Sequence, residues 1–304
     1  MKFNLCTVAL SAMALGVSAM PSNNIKADGA AFRRAGKGLV GNIYRQASKT
    51  SGGSSPSSTG SAGGSQTTSS SSGSGTSAGG SLPASSGTTA LSAAQTIAAG
   101  ETFDGGMVMY DRGVECTGQS EGGDSDAVFQ IEEGGSISNV IIGPNQIEGI
   151  HCQGACTLTN VWWSAVCEDA FSIKTQEAGA TTNINGGGAF GAADKVIQHN
   201  GAGTVAISDF TVEDFGKLYR SCGNCDTMYE RHVTIDGVSA TSGDLIAGVN
   251  ENFGDTATIT NTVTSGVEVI CERFEGTEGD GEPTSIGEGA DGTTCIYGSD
   301  VTTS

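Results

Sequence analysis

The sequence predicts an all-β fold, a single-stranded parallel β-helix, and three observations support this prediction. Short β-branched runs that end in Asn or Asp recur every 21 to 27 residues, and such a period indicates stacked supersecondary units. Within each run apolar and polar residues alternate, as they do in a strand. Helical periodicity is missing between the runs, which disfavours leucine-rich and βαβ arrays. The residues that end the runs are Asn139, Asn160, Asn185, Asp209, Asp236 and Asn261.

These six anchor residues are expected to lie at turns of the coil. Asn and Asp tolerate the left-handed backbone that a tight turn requires. Because each coil stacks on the next, we expect the anchors to form a ladder along one corner of the β-helix.

The chain divides into three segments. Residues 1–19 combine Lys2, a short apolar run and a small-residue cleavage site, which is typical of a secretory signal, so we expect a secreted protein. Residues 20–88 form a propeptide or linker, and their Ser/Gly-rich part, 51–88, has too few apolar residues to fold. Whether this spacer is O-glycosylated stays open. Residues 89–304 form the predicted β-helix domain.

Charge limits the partners of the β-helix domain. The whole chain has a formal net charge of -19, and residues 89–304 hold 7 cations against 32 acids. So negative a surface repels nucleic-acid phosphates and anionic lipids, which argues against nucleic acid or membrane partners. We expect a monomer.

Cysteine usage agrees with secretion. Eight cysteines lie beyond residue 19, and an even number in a secreted chain predicts disulfides. The Cys222-x-x-Cys225 spacing also fits a metal or redox site, which an oxidising compartment disfavours. We expect Cys295 to tie the acidic, Gly-rich tail to the coils. The eight are Cys116, Cys152, Cys156, Cys167, Cys222, Cys225, Cys271 and Cys295.

An acidic cluster is predicted from the coil period. Glu148 precedes Glu168 and Asp169 by about one coil, so their side chains can lie about 5 Å apart, at the strand spacing. Carboxylates held this close repel each other unless a cation neutralises them, and oxygen ligands suit Ca²⁺. A solvated acidic patch is the alternative interpretation.

A basic cluster is predicted in the same way. Lys195 and Lys217 are 22 residues apart, and Arg220 follows three residues later. In so acidic a domain a local positive patch indicates an anionic ligand, and the Arg fork fits a carboxylate. A salt-bridge network with Asp194, which precedes Lys195 directly, is the alternative.

Acids and bases on one face of a secreted β-helix suggest an acidic polysaccharide as substrate. A uronic acid carries a proton at C5, next to its carboxylate, and a metal bound to that carboxylate acidifies the proton. A lysine with a lowered pKa could then remove it, giving β-elimination. Hydrolysis would instead use two carboxylates.

Two other features have structural interpretations. Neighbouring strand residues point to opposite faces, so of Trp162 and Trp163 at most one could form a sugar platform, and core positions are favoured. His151, which precedes Cys152, is also expected to be structural.

Three motifs resemble the signature of family 3 pectate lyases. They are EGIHCQGACTLTNVWWSAVCEDA at 148–170, GGGAFGAADKVIQHNG at 186–201 and FGKLYRSCGNC at 215–225, with further agreement at 103–106 and 110–113. The resemblance covers roughly residues 90–300. It implies a small right-handed parallel β-helix that cleaves polygalacturonate with Ca²⁺.

The resemblance also implies site residues. The calcium carboxylates of the family correspond to Glu148, Glu168 and Asp169, although many members have Asp at the first position. The catalytic residues of the family correspond to Lys195, Lys217 and Arg220.

Within this set we expect Lys195 to be the base and Lys217 and Arg220 to hold substrate carboxylates, with Lys217 as the rival base. Two alternatives to the lyase stay open at this point: a catalytically inactive pectin-binding or elicitor protein, and a polygalacturonan hydrolase on the same fold.

Overall fold

Eighteen β-strands make up most of the regular structure in the described part of the chain, residues 80–279 and 281–304 of a computed structural model. Two 3₁₀ turns, Asp124–Asp126 and Glu251–Phe253, interrupt them. None of the helices in this part is long and apolar enough to cross a membrane. The strands are β1 (Gly87–Ala90), β2 (Gln95–Ile97), β3 (Thr102–Asp111), β4 (Ala127–Ile131), β5 (Ser136–Ile142), β6 (Glu148–Cys152), β7 (Thr157–Trp163), β8 (Asp169–Ile173), β9 (Thr181–His199), β10 (Gly203–Ser208), β11 (Thr211–Ser221), β12 (Arg231–Asp236), β13 (Ser239–Asn250), β14 (Thr256–Thr260), β15 (Val263–Glu275), β16 (Thr284–Glu288), β17 (Cys295–Ile296) and β18 (Thr302–Thr303).

The strands stack in parallel along three faces of a solenoid, which confirms the predicted parallel β-helix. Long strands such as β9 and β11 bend at corners, so their two ends belong to different faces. One face, called here the site face, consists of β2, β4, β6, β8 and the C-terminal ends of β9, β11, β13 and β15. β16 departs from the pattern by pairing antiparallel with β15.

The core lies inside the coil and is built from columns of equivalent residues. On the site face Ile150 pairs with Phe171, Phe171 with Ile197, and Ile197 with Tyr219, all of them buried. Burying one such apolar side chain contributes about 1.5–3 kcal/mol. The alternation of the sequence therefore fixes which residues point inward and which point into the solvent or a cleft.

The anchor residues form the predicted ladder at one corner. Asn139, Asn160 and Asp209 each have φ of 53°, in the left-handed region. The Asn160 amide donates to Asn139 Oδ1 at 2.8 Å, and the Asn261 amide donates to Asp236 Oδ1 at 2.7 Å. The side chains thus bond from coil to coil while the backbone turns.

Two of the predicted anchors lie one residue before the turn position. Asn185 lies within β9 and Asp236 ends β12, while Gly186 and Gly237 take the left-handed conformation, with φ of 69° and 68°. Glycine adopts positive φ without steric cost, so it replaces Asn or Asp at this corner.

All eight cysteines predicted to form disulfides are paired. The pairs are Cys116–Cys167, Cys152–Cys156, Cys222–Cys225 and Cys271–Cys295. Cys222-x-x-Cys225 is therefore a disulfide rather than a metal site, and Cys295 ties the tail to β15 as expected.

Both tryptophans are buried, as the core interpretation predicted. Trp163 is 1% exposed in the core, and Trp162 is 8% exposed. The Trp162 ring stacks on Phe190 with centroids 6.3 Å apart, and its indole N–H donates to Asn160 Oδ1. Neither ring is available as an open sugar platform.

Two of the three predicted segments include residues before Gly80. The signal-like segment 1–19 and most of the linker 20–88 lie outside the described residues. The first described strand begins at Gly87, close to the domain start expected at Thr89.

Candidate active site

Stacking of the coils brings the predicted acidic and basic residues into one row on the site face. Asp169 pairs with Lys195, and Lys195 pairs with Lys217, on three successive coils. Glu148 extends the row, since it lies two residues before Ile150 just as Asp169 lies two before Phe171, and these two residues pair. Adjacent strands are about 4.8 Å apart, so these four side chains are close neighbours.

The acidic end of the row gathers three glutamates. Carboxylate oxygens of Glu121, Glu148 and Glu168 all lie within 4.8 Å of one another. Glu148 and Glu168 are buried, with 1% and 3% exposure, whereas Glu121 is exposed and opens the cluster to solvent. Of the three acids predicted from the coil period, Glu148 and Glu168 meet in this group, and its third member is Glu121 rather than Asp169.

Glu121 is missing from the sequence prediction for a physical reason. It lies in an irregular Gly-rich loop, where the strand period gives no register. The one available signal is covalent: the Cys116–Cys167 disulfide attaches this loop next to Glu168. Without the pairing, the loop could not be assigned to a coil.

Glu148 is held in place through both of its oxygens. The N–H of Gly122 donates to Oε1 at 2.9 Å, and Nε2 of His151 lies 3.1 Å from Oε2. The other ring nitrogen of His151 lies 2.9 Å from Asp124 Oδ1. His151 is fully buried and fixes the Glu148 carboxylate, in line with the structural role expected for it.

Burial disfavours negative charge on the acidic cluster. Burial is the largest cause that raises the pKa of Glu168, the charges of Glu121 and Glu148 raise this pKa further, and Lys195 lowers it. Burial likewise raises the pKa of Asp169, whose Oδ1 makes no hydrogen bond among the described residues. A cation bound here would stabilise the charged forms of Glu168 and Asp169, and oxygen-only donors suit a hard cation such as Ca²⁺. The residues present therefore fit a calcium ion.

Lys195 joins the acidic and basic parts of the row. Its Nζ lies 2.6 Å from Asp194, 3.3 Å from Asp169 and 3.7 Å from Glu168. Burial alone would lower the pKa of Lys195, but the charges of Asp169, Asp194 and Glu168 outweigh it and raise the pKa above its ordinary value. These carboxylates keep Lys195 protonated when no metal ion neutralises them, whereas the lowered pKa expected for a base is an effect of bound calcium and of neighbouring cations.

Asp194 bridges the two lysines. Its Oδ1 lies 2.7 Å from Lys217 Nζ and its Oδ2 lies 2.6 Å from Lys195 Nζ. Burial would raise the Asp194 pKa, but both lysines oppose it and the pKa is lowered. The salt-bridge network of the alternative interpretation is therefore present between Asp194 and these two lysines.

Arg220 lies three residues after Lys217 on β11 and has a different environment. Its guanidinium donates to the Ser221 carbonyl at 2.6 Å and to Asn250 Oδ1 at 3.0 Å. The Phe274 ring lies 4.1 Å from the guanidinium carbon, a cation–π distance. Burial lowers the pKa of Arg220 to about 10, which leaves the side chain protonated at neutral pH.

The basic residues share one open cleft. Its volume is about 720 Å³, and it is lined by Asp169, Lys195, Lys217 and Arg220, together with the Cys222–Cys225 loop and Pro283. Glu121 and Asp194 also line the cleft, whereas Glu148 and Glu168 do not. The cleft can thus receive an anionic ligand at its cations, with a cation beside its carboxylates.

Comparison with known sequences identifies related proteins. The family model described as Pectate lyase matches residues 79–281. Pectate lyase H from Emericella nidulans is 61% identical over 200 residues, which cover 65% of this chain and 76% of the relative. Probable pectate lyase D from the same organism is 58% identical over 206 residues, covering 67% of this chain and 77% of the relative.

Comparison with solved structures agrees. Pectate lyase Pel3 from Pectobacterium carotovorum aligns with a TM-score of 0.57 and 32% identity, covering 70% of this chain and 72% of that one. Pectate lyase PelI from Erwinia chrysanthemi, crystallised in complex with tetragalacturonic acid, aligns with a TM-score of 0.55 and 34% identity. That alignment covers 67% of each chain.

Proposed function

Since the chain belongs to the pectate lyase family and is a polysaccharide lyase, we propose that it cleaves de-esterified polygalacturonate by calcium-assisted β-elimination. One observation carries the proposal for this chain's own residues. Three of its few cations, Lys195, Lys217 and Arg220, line one cleft, in which Lys195 Nζ lies 3.3 Å from the buried Asp169 and 3.7 Å from the buried Glu168. A polyanionic sugar and a metal ion would satisfy these two groups together.

The metal would be held by Glu148, Glu168 and Asp169, and we add Glu121 to this set. The oxygens of Glu121, Glu148 and Glu168 converge, and burial disfavours the charge of Glu168 and of Asp169 beside it. Calcium bound there supplies positive charge that offsets both the charge building on the substrate carboxylate and the carboxylates that raise the pKa of Lys195.

Lys217 and Arg220 would hold substrate carboxylates. The Arg220 guanidinium is planar and offers paired N–H donors, which match a carboxylate geometrically. Lys217 is one-third exposed in its side chain and can exchange its partner Asp194 for a uronate. These two contacts would orient a galacturonate unit across the row.

Lys195 is our choice for the base. β-Elimination moves the C5 proton to a lysine Nζ, the electrons of the C–H bond form the C4=C5 double bond, and the C4–O glycosidic bond breaks. The departing oxygen takes up a proton from an acid or from water. Lys195 lies at the junction of the acidic and basic groups, and Lys217, its neighbour on the next coil, is the rival for this role.

The buried carboxylates favour the lyase over the hydrolase alternative. A hydrolase needs one carboxylic acid and one carboxylate flanking the scissile bond. Here Glu148 is held by His151 and Gly122, and Asp169 and Glu168 surround Lys195. Such groups suit metal binding better than separate acid and nucleophile roles.

Secretion is part of the proposal. The signal-like residues 1–19 support it, and so do the four disulfides of the described part, because disulfides persist in oxidising compartments.

The test follows the ultraviolet absorbance of the unsaturated product on polygalacturonate, with calcium and with excess chelator. We expect calcium-dependent absorbance, loss of turnover of at least about 100-fold in Lys195→Ala, and an unchanged fold by circular dichroism. Arg273→Ala is the matched control, because Arg273 pairs with Glu251 and Asp291 away from the cleft.

Three results would count against the proposal. Activity that persists in chelator argues against calcium, and reducing ends without absorbance indicate a hydrolase. Binding of polygalacturonate with no product over hours indicates an inactive pectin-binding protein. If Lys195→Ala keeps wild-type turnover while Lys217→Ala loses it, the base is Lys217.

A further inference from the structure

Arg220 is oriented by an amide rather than by a carboxylate. Its Nη1 donates to Oδ1 of Asn250 at 3.0 Å, and Asn250 is fully buried at the end of β13. Among the described residues no carboxylate oxygen lies within 4.0 Å of the Arg220 guanidinium, in contrast to Lys195 and Lys217, which both pair with Asp194. The charge of Arg220 is thus left for a ligand in the cleft.

The direction of the Asn250 amide is fixed by its other contacts. Its Nδ2 donates to the Cys222 carbonyl at 2.9 Å and to Asp255 Oδ2 at 3.2 Å. The same Asp255 oxygen accepts the backbone N–H of Asn250 at 2.9 Å. Two acceptors therefore hold the NH₂ group, so the amide oxygen has to face Arg220.

The position of Asn250 in the chain makes this use of its side chain notable. Asn250 directly precedes the 3₁₀ turn Glu251–Phe253, where an Asn side chain commonly caps the free N–H groups. Its side chain makes no such cap bond. The amide is used for Arg220 and Cys222 instead.

The remaining surroundings of Arg220 restrict it further. The Phe274 ring covers one side of the guanidinium at 4.1 Å. A Cβ on Gly223 would lie 2.6 Å from Arg220 Nη2, so the absence of a side chain there leaves room for this nitrogen at the cleft. The guanidinium is packed on one side, bonded at Nη1 and lines the cleft.

We propose that Asn250 is a positioning residue for the lyase reaction, which fixes the direction of Arg220 through a neutral acceptor and so leaves its positive charge available to a uronate carboxylate of the substrate. The inference rests on the proposed role of Arg220 in binding substrate. A carboxylate in place of the amide would orient Arg220 equally well but would neutralise it.

The test compares Asn250→Ala and Asn250→Asp with the wild type in steady-state kinetics on polygalacturonate. A hydrogen bond to a charged group is worth about 1.5–3 kcal/mol, so we expect KM to rise about tenfold or more in both variants. We expect kcat to change less than KM, because Arg220 binds the substrate rather than removing its proton. A purely structural role would lower the melting temperature and leave KM unchanged.

Asn252→Asp is the matched control. Asn252 lies two residues further on and its amide bonds the backbone of Gly276, with no contact to Arg220. It carries the same change of charge in the same segment, and we expect its KM to stay within about twofold of the wild type.

Arg220→Ala separates failure of this inference from failure of the proposed function. If Arg220→Ala raises KM but both Asn250 variants keep the wild-type KM, Asn250 does not position Arg220. If Arg220→Ala itself leaves KM unchanged, both roles are wrong.

A double-mutant cycle provides the last check. With Arg220 already replaced by Ala, Asn250→Asp should change KM no further, because its effect passes through Arg220. Independent, additive effects would overturn the inference. Should the Asn250 variants fail to fold, Phe274→Leu gives a second route: removing the ring should raise KM in the wild type but not in the Arg220→Ala background.

Discussion

His199 makes the stability of the β-helix sensitive to acid. This side chain is fully buried at the end of β9, where its Nε2 lies 3.1 Å from the Ala202 carbonyl and its Nδ1 lies 2.9 Å from the Tyr219 hydroxyl. The carbonyl can only accept, so Nε2 carries the proton and Nδ1 accepts from Tyr219. Burial, followed by the charge of Arg231, lowers the pKa of His199 to about 3.

The size of the effect follows from proton linkage. Unfolded His199 titrates near pH 6.5, so below that pH the unfolded state binds a proton that the folded state does not bind. The His199 contribution to stability is complete above about pH 6.5 and falls by about 1.4 kcal/mol per pH unit down to about pH 3. Between about pH 7 and about pH 5 the loss from this one group is about 2 kcal/mol.

The measurement is the free energy of unfolding in guanidinium chloride at both pH values, with the disulfides intact and chelator present. His199→Gln cannot take up a proton, so it should lose about 2 kcal/mol less than the wild type over this range. Carboxyl groups with a raised pKa, such as Glu168, stabilise the folded state as the pH falls, and they do so in both proteins. The difference in unfolding free energy between the two proteins therefore isolates the contribution of His199. Equal losses in the two proteins would refute the buried neutral imidazole.

Two further predictions concern the metal site and the coil corner. Glu121→Gln should weaken calcium binding about tenfold or more in calorimetry, because the charge of the ligands sets the affinity. Glu115→Gln in the same loop is the control and should leave the calcium affinity unchanged. Equal calcium affinities of the two variants would show that Glu121 is not a ligand. Gly187→Ala should destabilise the fold by more than about 2 kcal/mol, because its φ is +102° and a Cβ would lie 2.0 Å from the Val161 carbonyl oxygen. Gly186→Asn occupies open space at a position where other coils carry Asn, so its melting temperature should change little; equal melting of the two variants would contradict this account of the corner.

The coil period predicts most of the fold because each coil depends on the local preferences of its own strand and corner residues. Alternating strands and left-handed corner residues repeat with each coil, so the sequence predicts the parallel stack and the Asn ladder. The exact corner residue was missed at Asn185 and Asp236, where a glycine one position later takes the turn instead. Polar type alone cannot distinguish a strand end from the turn that follows it.

The predicted site residues lie on strands, or directly before one in the case of Glu168, which precedes β8. Glu148, Asp169, Lys195 and Lys217 follow from spacing, because one coil separates each from the next. Glu121 lies on an irregular loop, so no register could place it.

Asn250 also escaped prediction, because its role depends on which way a buried amide faces. The raised pKa of Lys195 could not be foreseen either, since it depends on Asp194, a sequence neighbour whose side chain turns towards both lysines.

The central claim is that a metal bound by the buried carboxylates and a uronate bound by the cations meet at one row of the site face. A crystal structure of Lys195→Ala with calcium and a tetragalacturonate tests this most directly. We expect the ion among Glu121, Glu148, Glu168 and Asp169, with a sugar carboxylate against Arg220. An ion bound elsewhere, or a sugar chain on another face of the solenoid, would contradict the account.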